Sequence, residues 1–401
     1  MSVRRSRSAQ PVARDLATLG SWPGLRTLRS RGFRLVLAAT LLAIGVSLLA
    51  VLLVRQAADP AGQYAFDFQV YHDAAAEISA GRSPYAAEMF TGPIPAQGAL
   101  LYKYPPVLAQ LLVPLTGLSL SDAALLWLVL QAASILAGVW LAALAGGAPR
   151  TMETLLWGAV AATLFLPCFD TLWKGNVSGV QALQVALMAA GGAVAGASVA
   201  GAILLKTTPV VLILPALLAG RRLLLGLVAL GLGGLALSVA ASPQAWLDFI
   251  IVIPNLIAGP AAFPTNLAPD AIVALALPDM PAVAVGVRML SLIMGLFVLA
   301  WSGLLARRQG GWPAALTLAV GASLILPSSI WYHYLAVLLP IAALAWWRAS
   351  RGLRLTIAGS AALISLALFW LPLALVGAVT LVAAAARALW PRPPATARVS
   401  G

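Results

Sequence analysis

Apolar residues run along this chain in long blocks separated by short polar breaks, from Phe33 nearly to Trp390, and nowhere settle into the alternation of a half-buried strand. A helix needs roughly 20 apolar residues to cross a bilayer, so the blocks predict an all-α polytopic membrane protein. The block 33–54 lacks a small-residue cleavage site and reads as an uncleaved first span rather than a leader. Behind it, 56–106 is mostly polar and forms a first large loop. Within that loop, 68–80 places Tyr71, Ala74, Ala75 and Ile78 on one face and Gln69, His72, Asp73 and Glu77 on another, which predicts a helix lying in the interface, stopped by Gly81. The run after Tyr104-Pro105-Pro106 is short and proline-punctuated and reads as a helix that dips in and returns.

Arginine placement orders the remaining blocks. With the Arg-rich arm 1–32 taken as cytoplasmic, 125–145 runs inward, 155–167 outward, and 170–176 is an outer turn. The short helices 177–191 and 194–205 follow, then an outer break at 206–209 and the inward run 210–218. Next come 223–241 outward, a second outer stretch 242–281, 283–306 inward, 314–326 outward and a return through Trp331-Tyr332-His333-Tyr334 to Trp347. A final pair, 355–371 and 373–386, leaves the tail 391–401 inside. The map predicts one membrane domain, 33–390, of about 12 transmembrane helices. It places 19 of the 22 arginines on the inner side, the positive-inside pattern, and leaves only Arg55, Arg82 and Arg288 elsewhere.

Composition agrees. The chain is 61% hydrophobic and 9% charged, against about 25% charged in soluble domains, so lipid is its solvent. The net charge of +13 sits at the ends of apolar blocks and does not mark a nucleic-acid surface. A single cysteine, Cys168, excludes a disulfide framework, and two distant histidines make a histidine metal site improbable.

The three lysines, Lys103, Lys174 and Lys206, all fall on the outer side, against the charge rule, and stand out as candidates for chemistry. Lys206 interrupts an apolar stretch, where it needs an anion or water; snorkelling is the alternative. Lys103 and Lys174 flank Tyr104 and Asn176 and read equally as interfacial anchors. Asp67, between Phe66 and Phe68, has the setting of a general base, and also that of an N-cap for the following helix. His333 sits among aromatics as either belt or phosphate ligand, while His72 falls on the face expected to be solvated. No Asp-X-Asp lies near Asp67, so no metal is expected.

The string Phe66-Asp67-Phe68-Gln69-Val70-Tyr71, with Gly81-Arg82-Ser83-Pro84-Tyr85 behind it, is followed in order by several others. These are Tyr102-Lys103-Tyr104-Pro105-Pro106, Lys174-Gly175-Asn176, the run from Gly201 through Lys206 to Pro209, and Ser328 to Tyr334 with His333. Together they resemble glycosyltransferase family 87, the polyprenol-phosphate-mannose-dependent α-mannosyltransferases. The resemblance implies a GT-C fold whose first extracytoplasmic loop carries interfacial helices, in the bacterial cytoplasmic membrane, with an active site facing the extracytoplasmic side. It implies Asp67 as general base in an inverting transfer from polyprenyl-phosphate-mannose to a glycolipid or polysaccharide acceptor, without a metal or other cofactor. Lys206, His333, Lys174, Asn176, Lys103, Tyr104 and Tyr332 then belong to the donor phosphate and sugar, and Tyr71, His72, Arg82 and Tyr85 to the acceptor side or loop. A lipid or lipid-linked sugar flippase also uses broken helices, although no internal repeat relates two halves of this chain.

Overall fold

The computed structural model describes residues 30–58, 64–92, 101–257, 263–367 and 370–391. The Arg-rich arm before Ser30, most of the C-terminal tail and Asp59 lie outside the described residues. Every regular element among the described residues is helical. In lipid this follows from chemistry, since only a helix or a closed barrel satisfies its own backbone donors and acceptors.

Among the described residues, five helices are long and apolar enough to cross a membrane: Arg31–Arg55, Leu120–Gly146, Arg221–Ala241, Pro281–Ala306 and Pro372–Leu389. A sixth crossing is available if Met152–Leu164 and Leu166–Lys174, bent by 70° at Phe165, count as one span. Among the other apolar blocks, Ser178–Ala189, Gly192–Leu205, Thr208–Leu218, Trp312–Ser323 and Tyr332–Trp346 are shorter than a bilayer and pack as broken pieces between the long helices. The outsides of the long helices expose large apolar side chains such as Val36, Leu232, Leu237 and Phe297, whereas Gln131, Asp170, Asn176, Lys206, Asn266 and His333 are buried inside. Apolar surface and a polar interior are what a bilayer selects.

The breaks have local causes. Pro167, within the first two positions of its helix, cannot continue the preceding one, and Phe165 turns to an extended conformation. The freed N–H of Leu166 donates to Ser365 Oγ at 3.3 Å. Consequently 170–176 is not an outer turn: Leu166–Lys174 is a helix, closed by Gly175 at φ +67°. Similarly, the stretch 242–281 contains the helices Pro243–Ile257 and Pro269–Ala276. Pro243 and Pro269 open these helices, where a missing N–H costs nothing. The loop helix runs Phe66–Ser79 and ends at Gly81, φ +72°, close to the predicted 68–80.

Two features lock the pieces together. Gly192–Leu205 and Arg221–Ala241 touch backbone to backbone: a Cβ on Gly196 would overlap the Leu223 carbonyl, and one on Gly226 the Ala193 carbonyl. Small residues at a crossing allow this approach in lipid, where packing rather than hydrophobicity drives association. Arg288, one of the three arginines outside the inner pattern, donates to the carbonyls of Leu326 at 2.8 Å and Pro327 at 3.1 Å. These carbonyls lie just past Trp312–Ser323, so the guanidinium satisfies acceptors that the broken helix leaves open. Asn266 completes the joint, accepting from Ile330 N at 2.8 Å and Ala268 N at 3.0 Å and donating to Ser328 O at 2.8 Å.

The glycine contact makes a prediction. Gly226→Val forces the two helices apart and costs about 1–3 kcal/mol, the usual range for overpacking. Thermal unfolding of the detergent-solubilised protein should show a lowered midpoint, and an unchanged midpoint would refute the close contact.

Candidate active site

Asp67 stands in the first turn of Phe66–Ser79 and does not cap it; Ala65 holds the N-cap position at φ 55° with no side-chain bond. A capping carboxylate needs to precede the helix, and Asp67 is already inside it. Its carboxylate instead accepts from Asn176 Nδ2 at 2.7 Å. The same nitrogen lies 3.2 Å from both the Tyr71 and the Tyr104 hydroxyl, and Tyr71 donates to Tyr104 at 3.0 Å. The amide is fixed from behind: Asn176 Oδ1 accepts from Ser178 N at 3.0 Å and Ser178 Oγ at 2.7 Å. Because a backbone N–H can only donate, the carbonyl end must face Ser178 and the NH2 end must face Asp67.

The approach of these two segments depends on Gly175. A Cβ there would sit 2.7 Å from Phe68 Cβ, and the carbonyl of Gly175 accepts from Trp127 Nε1 at 2.7 Å. A further backbone bond, Ala65 N to Trp173 O at 2.7 Å, pins the start of the loop helix to the same turn. Burial pushes both phenols up, with the neighbouring tyrosine and then Asp67 adding for Tyr71, and Asp67 adding for Tyr104. Both hydroxyls therefore keep their protons at neutral pH and remain hydrogen-bond donors.

On the other side of Asp67 stands His333, 4% exposed, with Nε2 3.9 Å from Asp67 Oδ2 and Nδ1 3.2 Å from Asp170 Oδ2. Asp170 pairs in turn with Lys174 Nζ at 3.3 Å, one helical turn on. The His333 carbonyl accepts from Thr171 Oγ1 at 3.3 Å, so the bent helix holds both ends of this residue. Asp67 keeps 21% of its side chain exposed and is thus the reachable carboxylate of the group.

Lys206 is the third component. It sits in the extended break after Gly192–Leu205, 5% exposed, with Nζ 3.2 Å from the Tyr334 ring centre and 5.8 Å from that of Tyr104. Among the described residues no carboxylate lies within ion-pair distance of it. Cation–π contact partly replaces its lost hydration, and the ammonium faces a cavity of about 40 Å³ shared with Gln181, Thr208, Ser323 and Tyr334. Beside it lies an apolar cavity of about 170 Å³ walled by Val298, Leu318, Leu335 and Val382; Leu324 lines both. Lys103 is half-buried on the loop side; burial pushes its ammonium below the usual range, and the Asp67 charge opposes that shift.

Asp67, Tyr71, Tyr104, Lys174, Asn176, Lys206 and His333 thus share one site, with Lys103 close enough to feel Asp67. Four other candidates do different work. The Tyr332 hydroxyl donates to the Ile364 carbonyl at 2.8 Å and is occupied in the C-terminal helix pair. Tyr85 donates to the Tyr104 carbonyl at 2.8 Å and stacks on Phe249, so it orients Tyr104 without entering the site. Arg82 is exposed and paired with Glu77 at 2.6 Å. His72, expected to be solvated, is only 13% exposed and leans on Phe68 with its rings 6.0 Å apart. His72 lies one turn after the buried Phe68, at the edge of the packed face, while Asp73 next to it is exposed.

Sequence reasoning missed Asp170 and Tyr334. The first had a signal in its one-turn spacing from Lys174, obscured by reading the segment as a turn. The second adjoins His333, but nothing in the string distinguishes it from Tyr332.

One carboxylate held by an amide donor, with two phenols, an imidazole and ammonium groups around it, can deprotonate a hydroxyl and neutralise a departing anion. A sequence model of glycosyltransferase family 87 matches residues 102–327, more than half of the chain. The matched segment contains Lys103, Tyr104, Asp170, Lys174, Asn176 and Lys206; Asp67 and His333 flank it in sequence and join it in space. No curated protein and no solved structure matches the chain. The motifs, the helical membrane fold and this match agree, and the chain belongs to glycosyltransferase family 87, a family of membrane glycosyltransferases.

Proposed function

We propose that the protein transfers a mannosyl residue from a polyprenyl-phosphate sugar to a hydroxyl of a glycolipid or glycan, with inversion, at the extracytoplasmic side of a bacterial cytoplasmic membrane. The observation that carries this reading is the partly exposed Asp67 carboxylate, set by Asn176, in one site with Lys206, a buried cation that has no carboxylate within ion-pair distance among the described residues. The broken helices fit a GT-C bundle of about 12 crossings, in which shorter helices line a substrate cavity.

In a single displacement, the acceptor oxygen attacks the anomeric carbon while Asp67 takes its proton. The bond from that carbon to the phosphate oxygen breaks, and its electron pair leaves with the polyprenyl phosphate. A phosphate monoester, the group released from this diester donor, needs positive charge rather than a proton to leave. Lys206, Lys174 and Lys103 supply that charge, so the reaction as proposed calls for no metal. Proton removal by a positioned base contributes about 10²–10⁴-fold. The apolar cavity, which shares Leu324 with the cavity that Lys206 lines, would suit part of the polyprenyl chain.

Asp67→Asn keeps the size of the side chain and removes the base. Mannose transfer from polyprenyl-phosphate-mannose in proteoliposomes should fall by about 10²-fold or more in kcat; near wild-type turnover would remove the assignment. Lys206→Met keeps the apolar stem and deletes the charge. Loss of a hydrogen bond to an ionised group costs about 1.5–3 kcal/mol, so the donor KM should rise roughly 10- to 100-fold. An unchanged KM would mean that Lys206 only snorkels.

A further inference from the structure

A buried carboxylate, Asp170, and a partly exposed one, Asp67, flank one imidazole, and their contacts differ. Asp170 reaches Nδ1 of His333 at 3.2 Å, whereas Asp67 is 3.9 Å from Nε2, and Nε2 is buried without a hydrogen-bond partner. Asp170 is also held by Lys174 at 3.3 Å. A carboxylate paired with an ammonium accepts and cannot donate, so the proton between Asp170 and His333 must sit on Nδ1. Backbone contacts fix the rest of the geometry: Thr171, one residue after Asp170, donates to the His333 carbonyl at 3.3 Å.

We propose that Asp170 is a positioning residue that holds His333 as the Nδ1–H tautomer, and that the bare Nε2 accepts a hydrogen bond from a sugar hydroxyl bound beside Asp67. The inference rests on the proposed glycosyl transfer and deepens it. The phosphate of a polyprenyl-phosphate sugar is a diester and carries no O–H at neutral pH. It has nothing to donate to an unprotonated Nε2. A sugar hydroxyl does, and Nε2 points to the side where the acceptor and the transferred sugar meet the base. Among the candidate site residues, Lys206, Lys174 and Lys103 therefore serve the phosphate and His333 serves the sugar. Orientation of an imidazole by a carboxylate on its far nitrogen is a general device for fixing the tautomer.

The chain has only two histidines, which makes the test direct. The full-length protein is labelled with ¹⁵N-histidine and studied in lipid nanodiscs, with His72→Gln used to assign the remaining signal. Ring ¹⁵N shifts at neutral pH should show His333 neutral and protonated at Nδ1. Asp170→Leu should lose that tautomer, and kcat/KM with polyprenyl-phosphate-mannose should fall on the order of 10- to 100-fold, the range seen when a group orienting a histidine is removed. Asp170→Asn keeps an acceptor oxygen for Nδ1–H, and should preserve the tautomer and most of the activity even if the leucine variant does not fold. An Nε2–H tautomer or an imidazolium in the wild type would overturn the proposal, as would a tautomer unchanged in Asp170→Leu. A tautomer that switches without any loss of kcat/KM would overturn its functional half. The spectrum is recorded without turnover, so it fails or succeeds separately from the Asp67→Asn assay that tests the transfer itself.

Discussion

The side-chain amide of Asn176 is the contact on which the site depends. It joins three chain segments that no regular element connects: the loop helix through Asp67 and Tyr71, the segment before Pro105 through Tyr104, and the bent helix through its own backbone. The NH2 group is shared among three oxygens and its carbonyl is fully committed to Ser178. In a water-poor interior such a network is stable only when every member is satisfied. Rotating this one amide would set a carbonyl against a carboxylate and undo the arrangement.

The bilayer imposes the second constraint. A helix cannot stop inside lipid without exposing carbonyls and amides, and at three breaks here a side chain repairs this. Ser365 receives the Leu166 amide, Arg288 the carbonyls of Leu326 and Pro327, and Asn266 the amides of Ala268 and Ile330. Arg288 and Asn266 in this way hold the non-helical backbone that leads to His333. Irregular backbone at depth and buried cations are two sides of one solution.

Much of this was legible in the chain itself. The longest apolar blocks marked the long helices because lipid leaves little choice, and the three lysines stand out by violating the charge pattern. Asp67, Lys206 and His333 were found by asking what a polar residue was doing beside apolar ones. Depth of burial was less legible. His72 and Glu77 share a helix face in sequence, but one meets Phe68 and the other meets Arg82 and solvent. Prolines were ambiguous too: Pro167 breaks a helix, whereas Pro243 and Pro269 begin helices. Whether a proline ends or opens a helix depends on where the preceding N–H finds a partner, and that partner is remote in sequence. The pairing of Asp170 with His333 spans 163 positions and could emerge only from the packed structure.

The guanidinium of Arg288 links the lipid-facing exterior to this interior. It belongs to Pro281–Ala306, a helix that lends none of the polar side chains of the site, and it grips the backbone that leads, a few residues on, to His333. Membrane helices accommodate a thicker or thinner bilayer by tilting. Because this helix is tethered to the segment bearing the imidazole, any such tilt is transmitted along the tether, and the thickness of the surrounding lipid becomes a variable that the reacting groups can sense.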